Sequence, residues 1–346
     1  MKIIRIEASP RFSELFAIPS LAIKPDKRFN NQNFCYLGSG KAAIALILSY
    51  LRSTGELNNK MSEVLVPSWI GNPVYQQVNW FGFPVLQAGP NTSAMMIYHQ
   101  YGYPQNMERM TKFSEDRGLV MIEDCAHAPR SFYNGKICGS FGRFSLYSFS
   151  KFSFCYALGG VGSKEQNFLE YVYKNLKNSS GLSRVFINTL KIIDEANFSL
   201  PKPIALNQIE VVRKAAYAIY GDAPKPSNRA ISMWQKKRDA ELVRRELLYK
   251  VFRAETDSFG ICNHLEPEGV TPYAIPIRIK EGRMIELLEK LAAISVKATI
   301  NHFDFNRCHF DSDFRKTVLV PCHGDISNEK FEQIIGCVKS TIKGIV

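Results

Sequence analysis

The chain has no apolar run that approaches a membrane span, no cysteine pair at zinc or redox spacing, and no HxxxH or HExxH pattern among its six histidines. The first absence argues against a transmembrane helix. The opening residues, MKIIRIEASPRFSEL, also carry no apolar core of the signal-peptide kind, so no membrane association and a cytoplasmic location are expected. Eight cysteines (Cys35, Cys125, Cys138, Cys155, Cys262, Cys308, Cys322 and Cys337) are scattered without a CxxC, which fits a reducing compartment rather than a disulfide scaffold. Asn301-His302 and Cys308-His309 lie close together but read as polar loop residues, so no metal site is expected. Internal repeats and low-complexity segments are missing too.

Positive charge, by contrast, is in excess: the formal net charge is +12 over 346 residues. Such a balance suits nucleic acid, an anionic metabolite or plain solubility. The densest basic run, Lys236-Lys237-Arg238 with Arg244-Arg245, is interleaved with Asp239, Glu241 and Glu246 at helical spacing and reads as a solvated helix face. No aromatic–basic repeat accompanies it, so nucleic acid is not an expected partner. The length favours one large and one small domain.

Residues 1–33 read as an irregular arm interrupted by Pro10, Pro19 and Pro25. Phe34 to Leu37 leads into Gly38-Ser39-Gly40-Lys41 and then into a helix through Leu51. A glycine turn opening a helix presents unpaired N–H groups and suits a phosphate. It is not a P-loop, because Cys35 and Ala42 stand where Gly and Ser or Thr are required. Val64 to Pro67, Phe83 to Leu86, Ala94 to Tyr98 and Leu119 to Ile122 read as strands, with helices over Pro73 to Trp80 and Pro104 to Arg117. Strands alternating with helices predict an α/β fold with a doubly wound, mostly parallel sheet. A helix over Glu165 to Lys177 follows, then proline-rich joints at 200–204 and 221–226. A long helix from about Ile231 to Arg253 and an α+β remainder complete the chain, with strands at Tyr273 to Ile279 and Val318 to Val320. Helices are expected over Met284 to Leu291 and Asn328 to Ile342, the last with Ser327 as N-cap. The expected division is a large domain over 1–235 and a small one over 236–346 that includes the linking helix.

The most informative stretch runs from Leu119 to Gly162. An apolar strand turns acidic at Glu123-Asp124, a second apolar stretch from Phe144 to Phe149 ends in Ser150-Lys151, and a glycine cluster follows at Gly159-Gly160-Val161-Gly162. Ligands of open α/β sheets sit at the carboxyl ends of strands, so Asp124 and Lys151 are candidates to face one crevice. A carboxylate and a lysine there suit pyridoxal 5′-phosphate (PLP); a surface lysine and a solvated aspartate are the alternative.

With these pieces in order, the chain resembles the DegT/DnrJ/StrS family of PLP-dependent nucleotide-sugar aminotransferases. Ser39-Gly40-Lys41 stands at the family's phosphate turn, and Val64 to Ser68 at the strand leading to the cofactor. Tyr98-His99-Gln100-Tyr101-Gly102 stands for its His-x-Tyr-Gly, and Ile122 to Ala128 for Ile-Glu-Asp-Ala-Ala-Gln-Ala. Gly135-Lys136 with Gly139 to Gly142 matches the segment after it, and Thr317 to Ile326 the strand before the closing helix. The resemblance implies the type I PLP-transferase fold and a homodimer with its active site at the subunit interface. Its implied substrates are a nucleotide-diphosphate sugar and an amino-acid donor, expected to be glutamate. It also implies catalytic roles for Lys151, as Schiff-base lysine, and Asp124, as partner of the pyridinium nitrogen. The implied cofactor-binding set is Ser39, Gly40, Lys41, Trp69, Asp124, His127, Ser148 and Lys151, with His127 near the ring oxygen or face.

Several positions depart from the family. Lys41 replaces Thr, Gly71 stands where a ring-stacking aromatic is expected with Trp69 as nearest substitute, and Phe152 replaces Asn. The segment between Leu86 and Ala94 lacks a helix, and Asn228-Arg229 is the nearest candidate for the element lent across the dimer. A PLP-dependent sugar dehydratase is a second reading, against which the retained Lys151 argues. A non-catalytic member that binds PLP or sugar nucleotide is a third.

Overall fold

The alternating strand and helix signals assemble into one large sheet and one small one. The computed structural model describes residues 4–8, 33–153, 155, 157–178, 223–266 and 268–343. Most of the 1–33 arm, the joint at 200–204 and the first two residues of 221–226 lie outside the described residues. The first half comprises β1 (Asn33–Leu37), α1 (Gly40–Ser53), β2 (Glu63–Leu65), α2 (Asn72–Phe81), β3 (Phe83–Val85), β4 (Thr92–Tyr98), α3 (Met107–Arg117) and β5 (Val120–Asp124). A hairpin of β6 (Phe132–Tyr133) and β7 (Lys136–Ile137) follows, then β8 (Phe144–Ser148), β9 (Gly159–Ser163) and α4 (Gln166–Asn175). The second half holds α5 (Asn228–Thr256), β10 (Ala274–Ile277), α6 (Glu281–Ala293), β11 (Thr299–Asp304), β12 (Phe314–Pro321) and α7 (Asn328–Lys343).

The large sheet has the order β1-β9-β8-β5-β4-β2-β3. Its strands from β8 to β3 are parallel, and β9 runs against both its neighbours. The central strands are continuous apolar runs because both faces are covered. Val64, Ala94, Met96 and Ile122 pack with α1 in one cluster, while the alternate residues Leu65, Met95, Ile97 and Met121 pack with Met107 and Met110 of α3 in another.

The glycine cluster is itself a strand. A Cβ on Gly159 would lie 2.2 Å from the Ser39 carbonyl carbon, and one on Gly160 would lie 2.2 Å from the Phe34 ring. The residues are small because the helix-opening turn and an aromatic side chain lie directly against β9.

The small sheet is antiparallel, order β10-β12-β11. Between the sheets runs α5, 29 residues long and capped by Ser227, whose Oγ accepts the Ala230 N–H at 3.1 Å. The 235/236 division falls inside this helix. Its buried Trp234, Tyr249 and Phe252 belong to one core that also holds Phe149 from beside the large sheet and Ile275, Val318 and Val338 from the small half.

Besides β9, two elements escape the sequence reading. The β6–β7 hairpin turns through Asn134 (φ 48°) and Gly135 (φ 76°), the left-handed pair of a tight two-residue turn. The other is β11, whose alternation is broken by polar residues. The solvated helix face is also corrected. Arg238 and Arg245 are buried, Arg245 completely, because its guanidinium is claimed by three backbone carbonyls and a buried carboxylate.

Replacing Gly159 by Ala forces β9 away from the Ser39–Gly40 turn. It should cost about 1–3 kcal/mol, read as a lowered midpoint of urea unfolding against a Gly282→Ala control, whose added Cβ meets open space.

Candidate active site

Glu123 and Asp124 end β5, and the two-residue period of the strand sends their side chains to opposite faces. Glu123 is fully enclosed and saturated. Its Oε1 accepts the N–H groups of Phe141 and Gly142 at 2.7 and 2.6 Å, and its Oε2 accepts from Gly139 N–H at 2.7 Å and His99 Nε2 at 3.1 Å. His99 takes the Gln105 N–H on its other nitrogen at 3.2 Å. With Cys125 these two form a compact group of potential metal ligands, yet the nitrogen and oxygen atoms of that group are already engaged by hydrogen bonds. The arrangement fixes the 139–142 turn.

Asp124 faces a different environment. It is 3% exposed, and among the described residues its side chain has one hydrogen bond, from the Ala126 N–H at 2.9 Å. Burial pushes its carboxyl up to about 6, against the opposing pull of that N–H, of Lys151 and of His99. A buried carboxylate so short of donors favours a cation beside it.

Lys151 carries positive charge whose field reaches that carboxylate. It ends a short turn after β8 that is tied to the chain before β9, where Phe149 N–H and Ser150 N–H reach Leu158 O at 3.0 and 3.4 Å. Phe149 is stacked on Trp234 of α5 at 4.7 Å. The Lys151 ammonium lies 5.4 Å from the centre of the Tyr273 ring and 4.0 Å from Glu7 Oε1, and the Tyr273 hydroxyl donates to the same Glu7 oxygen at 2.8 Å. Glu7 is brought there by a segment bound to the small half: Ile4 pairs with Ser295 and Lys297, and His323 Nε2 donates to Arg5 O at 3.0 Å. Arg245 holds the other side, donating to Tyr273 O at 2.8 Å, to Pro272 O and Phe152 O, and pairing with Glu241 at 2.6 Å. Phe152 is a fully buried residue lying under that guanidinium.

His127 lies flat on Tyr273, ring centres 4.0 Å apart and planes 5° from parallel. Its Nδ1 meets the Tyr98 hydroxyl at 2.5 Å, and its buried Nε2 has no partner among the described residues. Burial, with Lys151 and Arg245 nearby, holds its pKa well below the ordinary histidine value, so the ring is neutral.

The glycine turn meets the end of β8. Ser39 caps α1, accepting the Ala42 N–H at 3.1 Å, and a Cβ on Gly40 would come within 3.2 Å of both Ser148 Cβ and Tyr147 O. Lys41, in the first turn of α1, is lowered to about 8 by burial. Thus Ser39, Gly40, Lys41 and Ser148 gather at one end, and Asp124, His127 and Lys151 at the other.

Trp69 lines one small cavity with Tyr98, whose hydroxyl meets His127. It is 48% exposed and stacks on His302 of β11 at 3.9 Å, while Gly71 serves as N-cap of α2. His302 is therefore a strand residue, and Cys308 and His309 are buried rather than loop-exposed, because the 304–311 segment packs onto α3 through the Phe113–Phe310 stack and the Asn106 N–H to Arg307 O bond. Sequence reasoning missed Glu7, Tyr98, Tyr273 and Arg245. The first lies in an arm without periodicity, and the last is disguised by its helical charge pattern.

Residues 88–180 match the sequence model of the DegT/DnrJ/EryC1/StrS aminotransferase family. A stretch of 58 residues is 47% identical to the GDP-perosamine synthase of Escherichia coli O157:H7, covering 17% of this chain and only 16% of the length of that relative. In structure, 90% of the chain superposes on 86% of the aminotransferase TlmJ from Streptoalloteichus hindustanus, with TM-score 0.62 and 16% identity. The Helicobacter pylori PseC, an aminotransferase involved in the biosynthesis of pseudoaminic acid, gives 0.61 at 14% identity, covering 90% of this chain and 87% of its own. The family resemblance is borne out, and the fold is the type I fold of these aminotransferases.

Two outcomes follow from the buried charges. Folding raises the pKa of Asp124 from 3.8 to about 6, so the folded state holds the proton more tightly and loses stability as pH rises through that window. Asp124→Asn should flatten this dependence and gain about 1–3 kcal/mol at pH 7, measured by urea unfolding of cofactor-free protein between pH 4 and 8. Arg245→Met leaves Glu241 buried without its cation and should cost about 3–5 kcal/mol. Calorimetry should show much of this recovered in Arg245→Met with Glu241→Leu.

Proposed function

We propose that the chain is a PLP-dependent aminotransferase that moves an amino group from an amino acid, glutamate being the expected donor, to a nucleotide-linked keto-sugar. The observation that carries this reading is the convergence of a buried, donor-poor carboxylate (Asp124) and a lysine (Lys151) at adjacent strand ends, beside a helix-opening glycine turn. Three features fit the cofactor. Asp124 lacks a full set of donors, His127 Nε2 is a buried polar atom without a partner among the described residues, and the small Gly40 leaves room beside Ser148 that a Cβ would fill.

When bound, PLP supplies a carbonyl that an amine can condense with and a ring that withdraws electrons from the reacting carbon. Lys151 Nζ is the amine that would hold it and, once free, would carry a proton to and from the substrate carbon. Asp124, kept ionised by a cation beside it, would keep a proton on the ring nitrogen. His127 would meet the ring oxygen or face. N–H groups at Gly40 and Lys41, with the side chains of Ser39, Lys41 and Ser148, would hold the phosphate.

The positive net charge suits a substrate bearing a diphosphate. No described helix is long and apolar enough to cross a membrane, and a cytoplasmic location is part of the proposal. So is a homodimer, whose interface would cover Tyr75, Trp80, Phe83 and Leu86, large apolar side chains exposed within one short stretch.

Purified protein given PLP should develop a visible absorbance band, and borohydride should fix the cofactor on a peptide containing Lys151. Lys151→Ala should lose the fixation and reduce transfer by roughly 10²–10⁴-fold. Glutamate should convert the band to the pyridoxamine form. A protein that takes up no PLP overturns the proposal, and a band that no amino donor converts transfers the reading to a non-catalytic binding protein.

A further inference from the structure

The orphaned nitrogen of His127 has a supporting structure of its own. Tyr98 is half-buried, and its hydroxyl meets His127 Nδ1 at 2.5 Å. Tyr101 holds a left-handed backbone, φ 53° and ψ 20°, which a side-chain-bearing residue adopts at a cost, and its ring is stacked beside His127 at 5.8 Å. Tyr273 covers a face of the imidazole at 4.0 Å. The ring is thus fixed in place.

The hydrogen atoms can be assigned by counting. If Tyr98 O–H donates to Nδ1, the Nε2–H alone of this Tyr98–His127 pair is left without a partner among the described residues. If instead Nδ1–H donates to the tyrosine oxygen, the Tyr98 O–H and the buried Nε2 lone pair both lack a partner among the described residues. The first arrangement has fewer unmet groups. A protonated ring is opposed by burial and by the nearby Lys151 and Arg245.

We propose that Tyr98 is a positioning residue that locks His127 in the Nε2–H tautomer, so that a neutral imidazole donates one hydrogen bond to an anionic oxygen on the cofactor ring. The proposal rests on the functional reading above for the identity of the acceptor, but not for the tautomer. In the family's pattern the same position holds Gln, whose amide carries a donor without any tautomer to fix. A histidine there needs a partner on Nδ1, and Tyr98 is that partner.

The tautomer is read first, on cofactor-free protein labelled with ¹⁵N-histidine, the His127 signals being assigned by their loss in His127→Gln. One protonated nitrogen and one unprotonated nitrogen in the Nε2–H pattern are expected. Tyr98→Phe, which keeps the ring volume, should move them toward the averaged shifts of a tautomer mixture. PLP affinity is read second, by titrating the visible band. Tyr98→Phe should weaken it by roughly three- to ten-fold in the wild-type background and leave it unchanged in the His127→Gln background. An unaltered ¹⁵N pattern in Tyr98→Phe overturns the proposal, and so does an equal loss of affinity in both backgrounds, which would mark Tyr98 as merely structural. If the wild-type chain takes up no PLP, the functional reading falls while the ¹⁵N result still decides whether Tyr98 sets the tautomer.

Discussion

Two carboxylates adjacent on one strand receive opposite treatment, and the rest of the site depends on that difference. Glu123 is met by three backbone N–H groups and a histidine, so its charge is neutralised locally and its burial organises the following turn. Asp124 receives a single backbone N–H and is left with a pKa of about 6. A buried anion without enough donors stores a preference for positive charge. Lys151 satisfies part of it at a distance, and a protonated ring nitrogen would satisfy it directly. The strand's period of two makes this possible, since one residue of shift separates a saturated carboxylate from a donor-poor one.

Holding Lys151 against that carboxylate takes parts from both sheets. The turn that carries it is anchored beneath by Phe149 on Trp234, and Arg245 of the same helix ties Phe152 O to Tyr273 O. Tyr273 in turn supports His127, lies beside the Lys151 ammonium and binds Glu7 from the N-terminal segment. Because these contacts cross the boundary between the halves within one continuous core, the small sheet is a wall of the site rather than an appendage. A fully buried arginine is costly unless its donors are met. Here four acceptors meet them, and the same bonds define the geometry around the lysine.

The sequence made the parallel sheet legible because its strands are apolar on both faces, and motif order located Asp124, Lys151 and the glycine turn. What it hid has physical causes. The glycine strand β9 carries no β-propensity; its residues are set by what lies against them. Arg245 looks solvated from its spacing, since nothing in a helical charge pattern reports carbonyls contributed by a loop 27 residues away. The stacking of Trp69 on His302 joins two segments far apart in the chain, which no local pattern reports. Glu7 sits in a segment with no repeat to read, and its role arises only from the docking of Ile4 and Arg5 on the small half.

The departures from the family pattern are not equivalent in kind. Phe152 has become part of the core under Arg245, and Gly71 has become a helix cap, so both exchanges are absorbed by packing. Lys41 and His127 instead change what the site offers. Burial brings Lys41 to about 8, where it remains largely protonated at neutral pH, whereas burial and two cations keep His127 neutral. One end therefore gains a charge suited to a phosphate, and the other a donor without charge. A cation at His127 would compete with Lys151 and the ring nitrogen for the single carboxylate of Asp124. Keeping that histidine neutral leaves the positive field at Asp124 to Lys151.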